Sequence, residues 1–527
     1  MSTLIRTGTM IRFALRRERV RIPVYVIVFV ALIASTAAQS EQLYPTAADR
    51  ADYVQTVNSN PGLIAMVGPP YGVDNVGGDT AWQWGAFGAV VVALMSAFIL
   101  GRHTRAEEQS GRSELVRASV VGRYAPTAAG LVVVTAVNLL VGAVVAVAML
   151  GADQPAAGSI AFGASLAGVG LFFAGVAAVA MQINQTASGA YGLVGAVLGA
   201  SYALRAAGDV GDGTLSWLSP IGWGQSMRPY ADERWWPLLL LLGGAAILFV
   251  AAFMLLERRD DGAGVVAPRP GPATARHAMT RPLGFALRLQ RVALLGWGAG
   301  IFLGGLSVGL TGQDAESIVG DSNVTDKLYG QAAGSLVDNY LAVSLQSMAL
   351  IGAGFAIQSV LRMRSEETAG RLEPLLATAL GRPRWAGSHV ATAMAGTILV
   401  VGAAGLGAGI ADAIESGDAG RLPLLLGSSL ALVPAVWVLI GVAVTLFGLL
   451  PRAAAAAWGA LAACFLLAYL GPLLSLPDWV IDISPFSHVP LLPAADPAIA
   501  PLIVLTAIAA ALTAVGLAAF RRRDVPV

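Results

Sequence analysis

The sequence predicts an all-α polytopic membrane protein with about twelve transmembrane helices, arranged as two parallel six-helix repeats. Three observations indicate this fold class. Of the 527 residues, 56% are hydrophobic and only 12% are charged, which is roughly half the charge of an average soluble domain. Apolar runs of about 20 residues, long enough to cross a bilayer, recur along the chain. One charged segment also occurs twice, at a constant offset of 259 residues, and such internal repetition indicates a duplicated architecture.

The apolar runs define two halves of six spans each. We expect spans at residues 22–38, 82–101, 126–150, 158–182, 187–205 and 237–256, then at 293–311, 341–361, 386–411, 422–450, 453–474 and 498–520. Residues 1–256 and 282–527 are therefore the predicted halves. The linker between them, 257–281, is charged and rich in Gly and Pro, which predicts a mobile connection. Because six is even, both halves enter the membrane in the same direction and form parallel repeats.

Charge placement predicts that both termini lie in the cytosol. With the N-terminus inside, 27 of the 33 basic residues fall in cytosolic segments, as the positive-inside rule requires. All 32 carboxylates are expected in loops and none deep in a span. Because ionisable residues within spans usually mark ion or proton pathways, this distribution argues against an ion-coupled pump.

Several segments outside the spans also correspond between the halves. Residues 1–21 carry six arginines among apolar side chains, a pattern typical of a helix at the membrane surface, and residues 282–291 form a weaker version. Plain topogenic charge is the alternative interpretation of both. Before the last span of each half, residues 218–223 (Leu-Ser-Pro-Ile-Gly-Trp) and 483–488 (Ile-Ser-Pro-Phe-Ser-His) favour a re-entrant or interfacial helical hairpin. The tryptophans near the first of these stretches would be interfacial anchors or part of an exit gate: Trp217, Trp223, Trp235 and Trp236.

The repeated charged segment runs Arg-Ala-Glu-Glu-Gln-Ser-Gly-Arg-Ser-Glu-Leu from Arg105 and Arg-Ser-Glu-Glu-Thr-Ala-Gly-Arg-Leu-Glu-Pro from Arg364. Over 19 aligned positions, nine are identical, and eight of those are Glu, Arg or Gly. Apolar bias therefore does not produce the match. A solvated helix between two spans would explain the charge but not the repeated order of residues, so we favour a dedicated contact with another protein.

A continuous helix through each segment would have defined consequences. Glu107, Gly111 and Glu114 would share one face. Glu108 would pair with Arg112, and Glu367 with Arg371, at a spacing of four residues. Pro374, which replaces Leu115 in the second copy, would shorten or kink that helix.

With twelve spans in two repeats and Glu-Glu-x-x-Gly-Arg-x-Glu after the second span of each half, the chain resembles the ABC-2 type exporter permeases. The nearest subgroup is the actinobacterial exporters of polyketide antibiotics, including tetronasin-type permeases. The resemblance implies a pseudo-dimeric transmembrane domain in which each charged segment is a coupling helix that docks one copy of a cytosolic ABC ATPase. The implied docking residues are Glu107, Glu108, Gly111, Arg112 and Glu114 in the first copy and Glu366, Glu367, Gly370, Arg371 and Glu373 in the second.

No enzymatic site is evident in the chain. Its single lysine, Lys327, is not part of a Gly-x-x-x-x-Gly-Lys-[Ser/Thr] motif, so ATP and Mg²⁺ are expected on a separate ATPase and no cofactor is expected here. The four histidines are scattered, which indicates neither a metal site nor a catalytic triad, and we expect His103 and His389 at the membrane surface. The lone Cys464 excludes an intrachain disulfide. Because the basic residues follow the topology, no nucleic-acid partner is expected.

The expected function is export of hydrophobic or amphipathic small molecules, such as drugs or polyketide antibiotics, across a bacterial plasma membrane. By family likeness, the pathway would lie between the second, fifth, eighth and eleventh spans, where aromatic and Met side chains suit adaptable apolar contacts. Candidate lining residues are Trp84, Phe87, Met95, Tyr191, Tyr202, Gln346, Met348, Trp458 and Tyr469, although ordinary helix packing or lipid contact would also explain each of them. An ion-coupled secondary multidrug transporter and a non-transporting membrane scaffold or sensor are the alternatives.

Overall fold

The computed structural model describes residues 3–44, 46–267, 271, 273–274, 277–312, 334–473 and 476–524. Helices dominate, and within these ranges there is no β-strand. Twelve helices are long and apolar enough to cross a membrane. The prediction of an all-α multi-pass membrane protein is therefore confirmed.

The chain forms two compact units, Met1–Gly271 and Pro272–Val527, and the division falls inside the predicted linker. The start of that linker is not a free connection. The amide of Val265 donates to the Gln182 carbonyl oxygen at 3.0 Å and that of Val266 to the Ile183 carbonyl oxygen at 3.2 Å. The expected mobility of the linker does not apply to residues 265–266, because their backbone groups bond to the end of span 4.

The first unit contains spans 1 to 6, preceded by a helix at Thr7–Glu18. These spans are Arg21–Leu43, Val76–His103, Ala125–Gly151, Ala156–Ile183, Ala187–Val210 and Trp236–Glu257. Span 4 is the central helix and packs on spans 2, 3 and 6. A Cβ added to Gly163 of span 4 would lie 2.1 Å from the Gly142 carbonyl oxygen of span 3. Glycine is therefore required here because the two backbones touch, a common basis of helix association in membranes.

The second unit contains spans 7 to 12. Their helices are Pro282–Leu310, Leu336–Thr368, Arg382–Ser416, Arg421–Leu430 with Val433–Leu449, Ala457–Leu473 and Ile499–Arg522. Span 10 is two helices interrupted at residues 431–432, just before Pro434, whose ring does not fit a helix interior. The weaker lead-in at 282–291 is the beginning of span 7 rather than a separate surface helix, so that prediction is wrong.

Each unit uses the same internal packing. The fourth span contacts the second, third and sixth spans of its own half, and span 10 correspondingly contacts spans 8, 9 and 12. In the second unit, a Cβ on Gly448 of span 10 would lie 2.2 Å from the Gly516 carbonyl oxygen of span 12. The repeat detected in the sequence is therefore also a repeat of helix neighbours.

Short helices precede the last span in both units. Leu215–Leu218 and Pro220–Gln225 meet at Ser219, whose hydroxyl accepts from the Gly222 amide and caps the second helix. Pro220, Ile221 and Gly222 are buried. In the second unit, Asp478–Ile481 is helical and Phe486 is buried. The first stretch is therefore helical with a buried apolar side, whereas residues 483–488 form turns. The prediction of a helical hairpin is wrong for the second stretch.

The tryptophans around the short helices Leu215–Leu218 and Pro220–Gln225 do cluster. The rings of Trp217 and Trp236 stack with centroids 5.1 Å apart, and Trp217, Trp235 and Trp236 are 40–49% exposed. Trp223 instead packs edge-on against Phe172 of span 4. The three exposed rings are placed as interfacial anchors would be.

The helices extend beyond the apolar runs and include carboxylates that we expected in loops. Asp79 and Asp338 occupy the first turns of spans 2 and 8, at the same 259-residue offset as the charged segments. Asp79 accepts a hydrogen bond from Tyr53 at 2.9 Å, and Asp338 binds Arg421 at 2.9 Å. Asp412 of span 9 also binds Arg421. The prediction is wrong at these positions, because polar partners allow the ends of the helices to carry acids that are buried, as Asp79 and Asp412 are, or partly exposed, as Asp338 is.

Candidate functional site

Each repeated charged segment follows the second span of its half and contains a sharp turn. In the first, a break at Thr104 separates span 2 from the helices Arg105–Gln109 and Arg112–Arg117. In the second, span 8 continues unbroken to Thr368 and is followed by the helix Leu372–Leu376. Both segments thus consist of a helix end, a two-residue turn and a second short helix.

A glycine makes the turn in both copies. Gly111 and Gly370 have φ values of +72° and +68°, a left-handed conformation that costs other L residues about 1–2 kcal/mol. The Gly111 amide donates to the Glu108 carbonyl oxygen at 3.2 Å, and the Gly370 amide to that of Glu367 at 3.1 Å. The prediction of one continuous helix is therefore wrong, and Glu107, Gly111 and Glu114 do not share a helical face.

The turn also changes the ion pairs within the segment. Arg112 lies 3.8 Å from Glu107, not against Glu108, and Arg371 binds Glu366 at 2.6 Å, not Glu367. This carboxylate raises the pKa of the Arg371 guanidinium above its ordinary value. Pro374 lies in the first turn of Leu372–Leu376, where its missing amide hydrogen is not needed, so it neither kinks nor ends that helix.

The second glutamate of each segment is held by two arginines. Glu108 binds Arg105 at 2.7 Å and Arg259 at 2.6 Å. Its counterpart Glu367 binds Arg364 at 3.1 Å and Arg523 at 3.0 Å. The side chains of Glu108 and Glu367 are only 10% and 1% exposed. Two of the predicted docking residues are therefore occupied inside the protein.

Sequence reasoning missed Arg259 and Arg523. Arg259 follows the end of span 6 at Glu257, and Arg523 follows the end of span 12 at Arg522. Both were counted as topogenic charges. The sequence does show that both arginines come just after the last span of their half. It does not show which carboxylate either arginine binds.

The first segment has additional support from the N-terminal helix. Arg17 of that helix forms an ion pair with Glu107. Its neighbour Glu18 is fully buried and accepts hydrogen bonds from Arg102 at 2.8 and 2.9 Å. In the second half, Glu366 is bound instead by Arg362 at 2.8 Å and by Arg371. The two segments therefore share a turn but not their whole surroundings.

Four charged side chains remain exposed on the second short helices and their turns. Arg112 and Arg371 are 65% and 55% exposed, and Glu114 and Glu373 are also exposed. They form one similar surface on each half, with an arginine directly after the glycine and a glutamate two residues later. We call this the exposed Arg–Glu surface.

The two histidines beside the segments are buried within their halves. His103 Nε2 lies 3.2 Å from Glu18 Oε1, and His389 is 1% exposed against Gln290 and Trp385. Both imidazoles are therefore packed among protein side chains, and their position at the membrane surface stays a prediction. The charge of Glu18 and the aromatic edge of Trp385 provide an environment that the local sequence does not reveal.

The pathway candidates of the first half are spread over different surroundings. Trp84 donates from Nε1 to Thr36 of span 1 at 2.9 Å, and Met95 is buried. Phe87 is 41% exposed, while Tyr191 packs on Phe98 with ring centroids 5.2 Å apart. The hydroxyl of Tyr202, in the C-terminal half of span 5, donates to the Met66 carbonyl oxygen. Met95 belongs to the buried core of the first unit, and Trp84, Tyr191 and Tyr202 pack against that core. Their role in a pathway stays a prediction.

Two candidates of the second half do meet. Gln346 and Tyr469 line a small cleft between spans 8 and 11, where the Tyr469 hydroxyl contacts Ser347. Met348 instead faces Gly304 of span 7, and Trp458 is 42% exposed. Gln346 and Tyr469 thus lie in one cleft, and a role of the nine candidates in a pathway stays a prediction.

Comparison with known proteins gives the chain a family. Residues 279–521 match the family described as "Multidrug efflux system permease Rv1217c, C-terminal domain". The multidrug efflux system permease protein Rv1217c of Mycobacterium tuberculosis (strain H37Rv) is 40% identical over 525 residues, which is 98% of this chain and 95% of that protein. A match of this extent includes both halves and both charged segments. The chain therefore belongs to the family of multidrug efflux system permeases.

Proposed function

We propose that this protein is the permease subunit of an ATP-driven exporter that moves amphipathic compounds, such as drugs or polyketide antibiotics, out of the cell. Its membership of a multidrug efflux permease family supports transport of such compounds. A bacterial plasma membrane location with both termini cytosolic is part of the proposal, supported by the bias of basic residues. ATP and Mg²⁺ would bind to separate ATPase subunits.

The observation that carries the ATPase proposal is the repetition of one three-dimensional arrangement. The exposed Arg–Glu surface of each half follows a helix end and a left-handed glycine and lies on a second short helix. In both halves the second glutamate of the segment forms ion pairs with two arginines. A solvated connection needs no such internal support. Two copies on one chain fit two identical partners, hence one permease chain with two ATPase subunits.

The ten docking candidates would then divide into two roles. Glu107, Glu108, Glu366 and Glu367 are paired within the protein and would hold the segments in shape. The residues positioned to contact an ATPase are Gly111, Arg112, Glu114, Gly370, Arg371 and Glu373. Exposed charges of this kind steer association, and reversing one against a complementary charge of the partner also weakens binding, on the order of several kcal/mol.

Three carboxylates at the ends of the spans are paired with arginines, which gives little support to the ion-coupled alternative. Asp338 and Asp412 are both bound to Arg421, and Asp209 is bound to Arg205 at 3.2 Å. Ionisable residues within spans can mark ion or proton pathways, but these three carboxylates are held by arginines. Paired acids at helix ends are explained more simply as structural contacts.

Copurification with a coexpressed P-loop ATPase tests the proposal. The double variant Glu114→Arg, Glu373→Arg should weaken docking and drug-stimulated ATP hydrolysis while membrane insertion stays normal, because both changed side chains are exposed. Reversal of Glu107 and Glu366 is less specific, since it also breaks their internal ion pairs. The matched control is Asp496→Arg, an exposed acid before span 12. Unchanged docking and stimulation in the double variant would contradict the proposed interface.

A further inference from the structure

We propose that Arg259 and Arg523 are positioning residues that join each charged segment to the last span of its own half, so that a movement of the segment moves that span. This inference rests on the proposed function, because the movement would be imposed by a docked ATPase. It assigns to two basic residues outside the repeated motif a role in passing that movement into the membrane.

In the first half, Arg259 makes a two-pronged contact with Glu108. Its Nη1 lies 2.9 Å from Glu108 Oε2 and its Nη2 lies 2.6 Å from Glu108 Oε1. Its Nε donates to Gln182 Oε1 at 2.8 Å, near the end of span 4. The Arg259 side chain is 2% exposed. Arginine is suited to this place because its planar fork matches a carboxylate with two parallel hydrogen bonds.

Arg105 adds a second connection at the same point. Its Nη1 binds Glu108 at 2.7 Å, and its Nε donates to the Met181 carbonyl oxygen at 3.0 Å. The segment is therefore attached to the ends of spans 4 and 6 through one buried carboxylate. If Glu108 moved and the ends of spans 4 and 6 did not follow, buried charges would lose their partners, which is strongly unfavourable.

In the second half, Arg523 makes a similar contact with Glu367, through one hydrogen bond and one ion-pair approach. Its Nη1 lies 3.0 Å from Glu367 Oε1 and its Nη2 lies 3.1 Å from Glu367 Oε2. The guanidinium also lies over the rings of Phe447 in span 10 and Phe520 in span 12, 5.1 and 5.4 Å from their centroids. Spans 10 and 12 correspond to spans 4 and 6, so the same pair of helices is connected to the segment in both halves.

The two arginines do not correspond in the aligned repeat. They are 264 residues apart, whereas the glutamates that they bind are 259 apart. A buried contact between an arginine and the second glutamate of the segment is therefore made in both halves from different positions in the chain. A basic residue that only set the orientation of the helices in the membrane would not need to bind a buried glutamate. Both arginines do so.

The test uses the full-length permease with its ATPase and the variants Arg259→Gln and Arg523→Gln, singly and together. The matched controls are Arg258→Gln and Arg522→Gln, which remove the same charge from exposed neighbours. We expect ATPase binding to remain, while drug-stimulated ATP hydrolysis and transport fall by about 2- to 30-fold, the usual range for residues along a coupling network. Glu108→Gln combined with Arg259→Gln should lose no more than the worse single variant, because both remove one contact.

The outcomes separate this inference from the proposed function. If the wild-type protein neither binds nor stimulates an ATPase, the proposed function fails. If it does both and the Arg259→Gln, Arg523→Gln double variant retains full drug stimulation, the positioning role is overturned. Loss of ATPase binding in the variants would also overturn it, by showing that the arginines only maintain the docking surface.

If a glutamine variant folds poorly, hydrogen exchange of the permease without its ATPase can still test the positioning role. Arg259→Lys preserves the charge but not the two-pronged geometry. Hydrogen exchange at residues 105–117 and at the end of span 6 should rise together in this variant, and neither should change in Arg258→Lys. A rise confined to the segment, or no rise, would contradict a connection between the two.

Discussion

Replacing the turn glycine of the first segment by alanine should destabilise it, although alanine normally strengthens a helix. No atom lies within 4 Å of a Cβ added to Gly111, so the new methyl group meets no neighbour. The cost comes from the left-handed backbone alone, at a φ of +72°, and amounts to about 1–2 kcal/mol. In one continuous helix, the same substitution would instead stabilise by about 1 kcal/mol. The sign of the effect therefore distinguishes the two conformations.

Hydrogen exchange of residues 105–117 in the purified protein measures this effect. A loss of about 1–2 kcal/mol raises the opening equilibrium, and with it the exchange rate, by about 5- to 30-fold. The informative amides are those of Gly111 and Glu114, which donate to the carbonyl oxygens of Glu108 and Gly111. Gly370→Ala should behave in the same way, since its φ is +68° and its surroundings are equally open.

The matched control is Gly192→Ala in span 5. Gly192 is helical and also has open space around the Cβ position, so alanine should leave exchange there unchanged or slower. Asparagine at residue 111 should give an effect between those of glycine and alanine, because it tolerates the left-handed region. Slower exchange in Gly111→Ala would refute the turn and restore the continuous helix.

Further predictions concern stability, stoichiometry and energy source. Glu18→Gln should lower the unfolding free energy of the first unit by about 3 kcal/mol, because it breaks the ion pair of the buried Glu18 with Arg102. The control is Arg16→Ala at an exposed residue, and equal thermal midpoints of the two variants would contradict this prediction. Gly163→Leu should prevent spans 3 and 4 from packing, seen as loss of the folded, monodisperse protein in detergent, and wild-type yield and stability would show that the contact tolerates side chains. Mass measurement of the solubilised complex should give one permease chain per two ATPases, and two permease chains would defeat the pseudo-dimer. Efflux from ATP-loaded vesicles should persist when an uncoupler collapses the proton gradient, whereas arrest would favour the ion-coupled alternative.

Much of the fold could be predicted because its signals are local. A bilayer-spanning helix requires a long apolar run and satisfies its own backbone hydrogen bonds, so the twelve spans are evident without any knowledge of contacts. Their ends were less predictable. Asp79 and Asp412 extend the helices because partners elsewhere in the chain, Tyr53 and Arg421, stabilise these buried acids.

The repeat of the charged segment is evident from the sequence, but its conformation is not. The motif's spacing fits a helix, and a helical glycine costs only about 1 kcal/mol, so helical periodicity alone favoured a continuous element. Gly111 and Gly370 instead end their helices, which moves Arg112 and Arg371 from the second glutamate to the first. Whether a glycine bends or ends a helix depends on the contacts that the rest of the segment gains.

The sequence by itself determined the membrane class, the twelve spans and the duplicated charged segment, because run length, charge bias and a constant offset are properties of the chain alone. Only the tertiary structure decided which charges are used. Glu108 and Arg259 are 151 residues apart, and Glu367 and Arg523 are 156 apart. Pairs so distant meet only because packing of the spans brings the end of the last helix beside the charged segment. Burial then makes the pairing obligatory, since an isolated charge removed from water is far less stable than one held by its counter-charge.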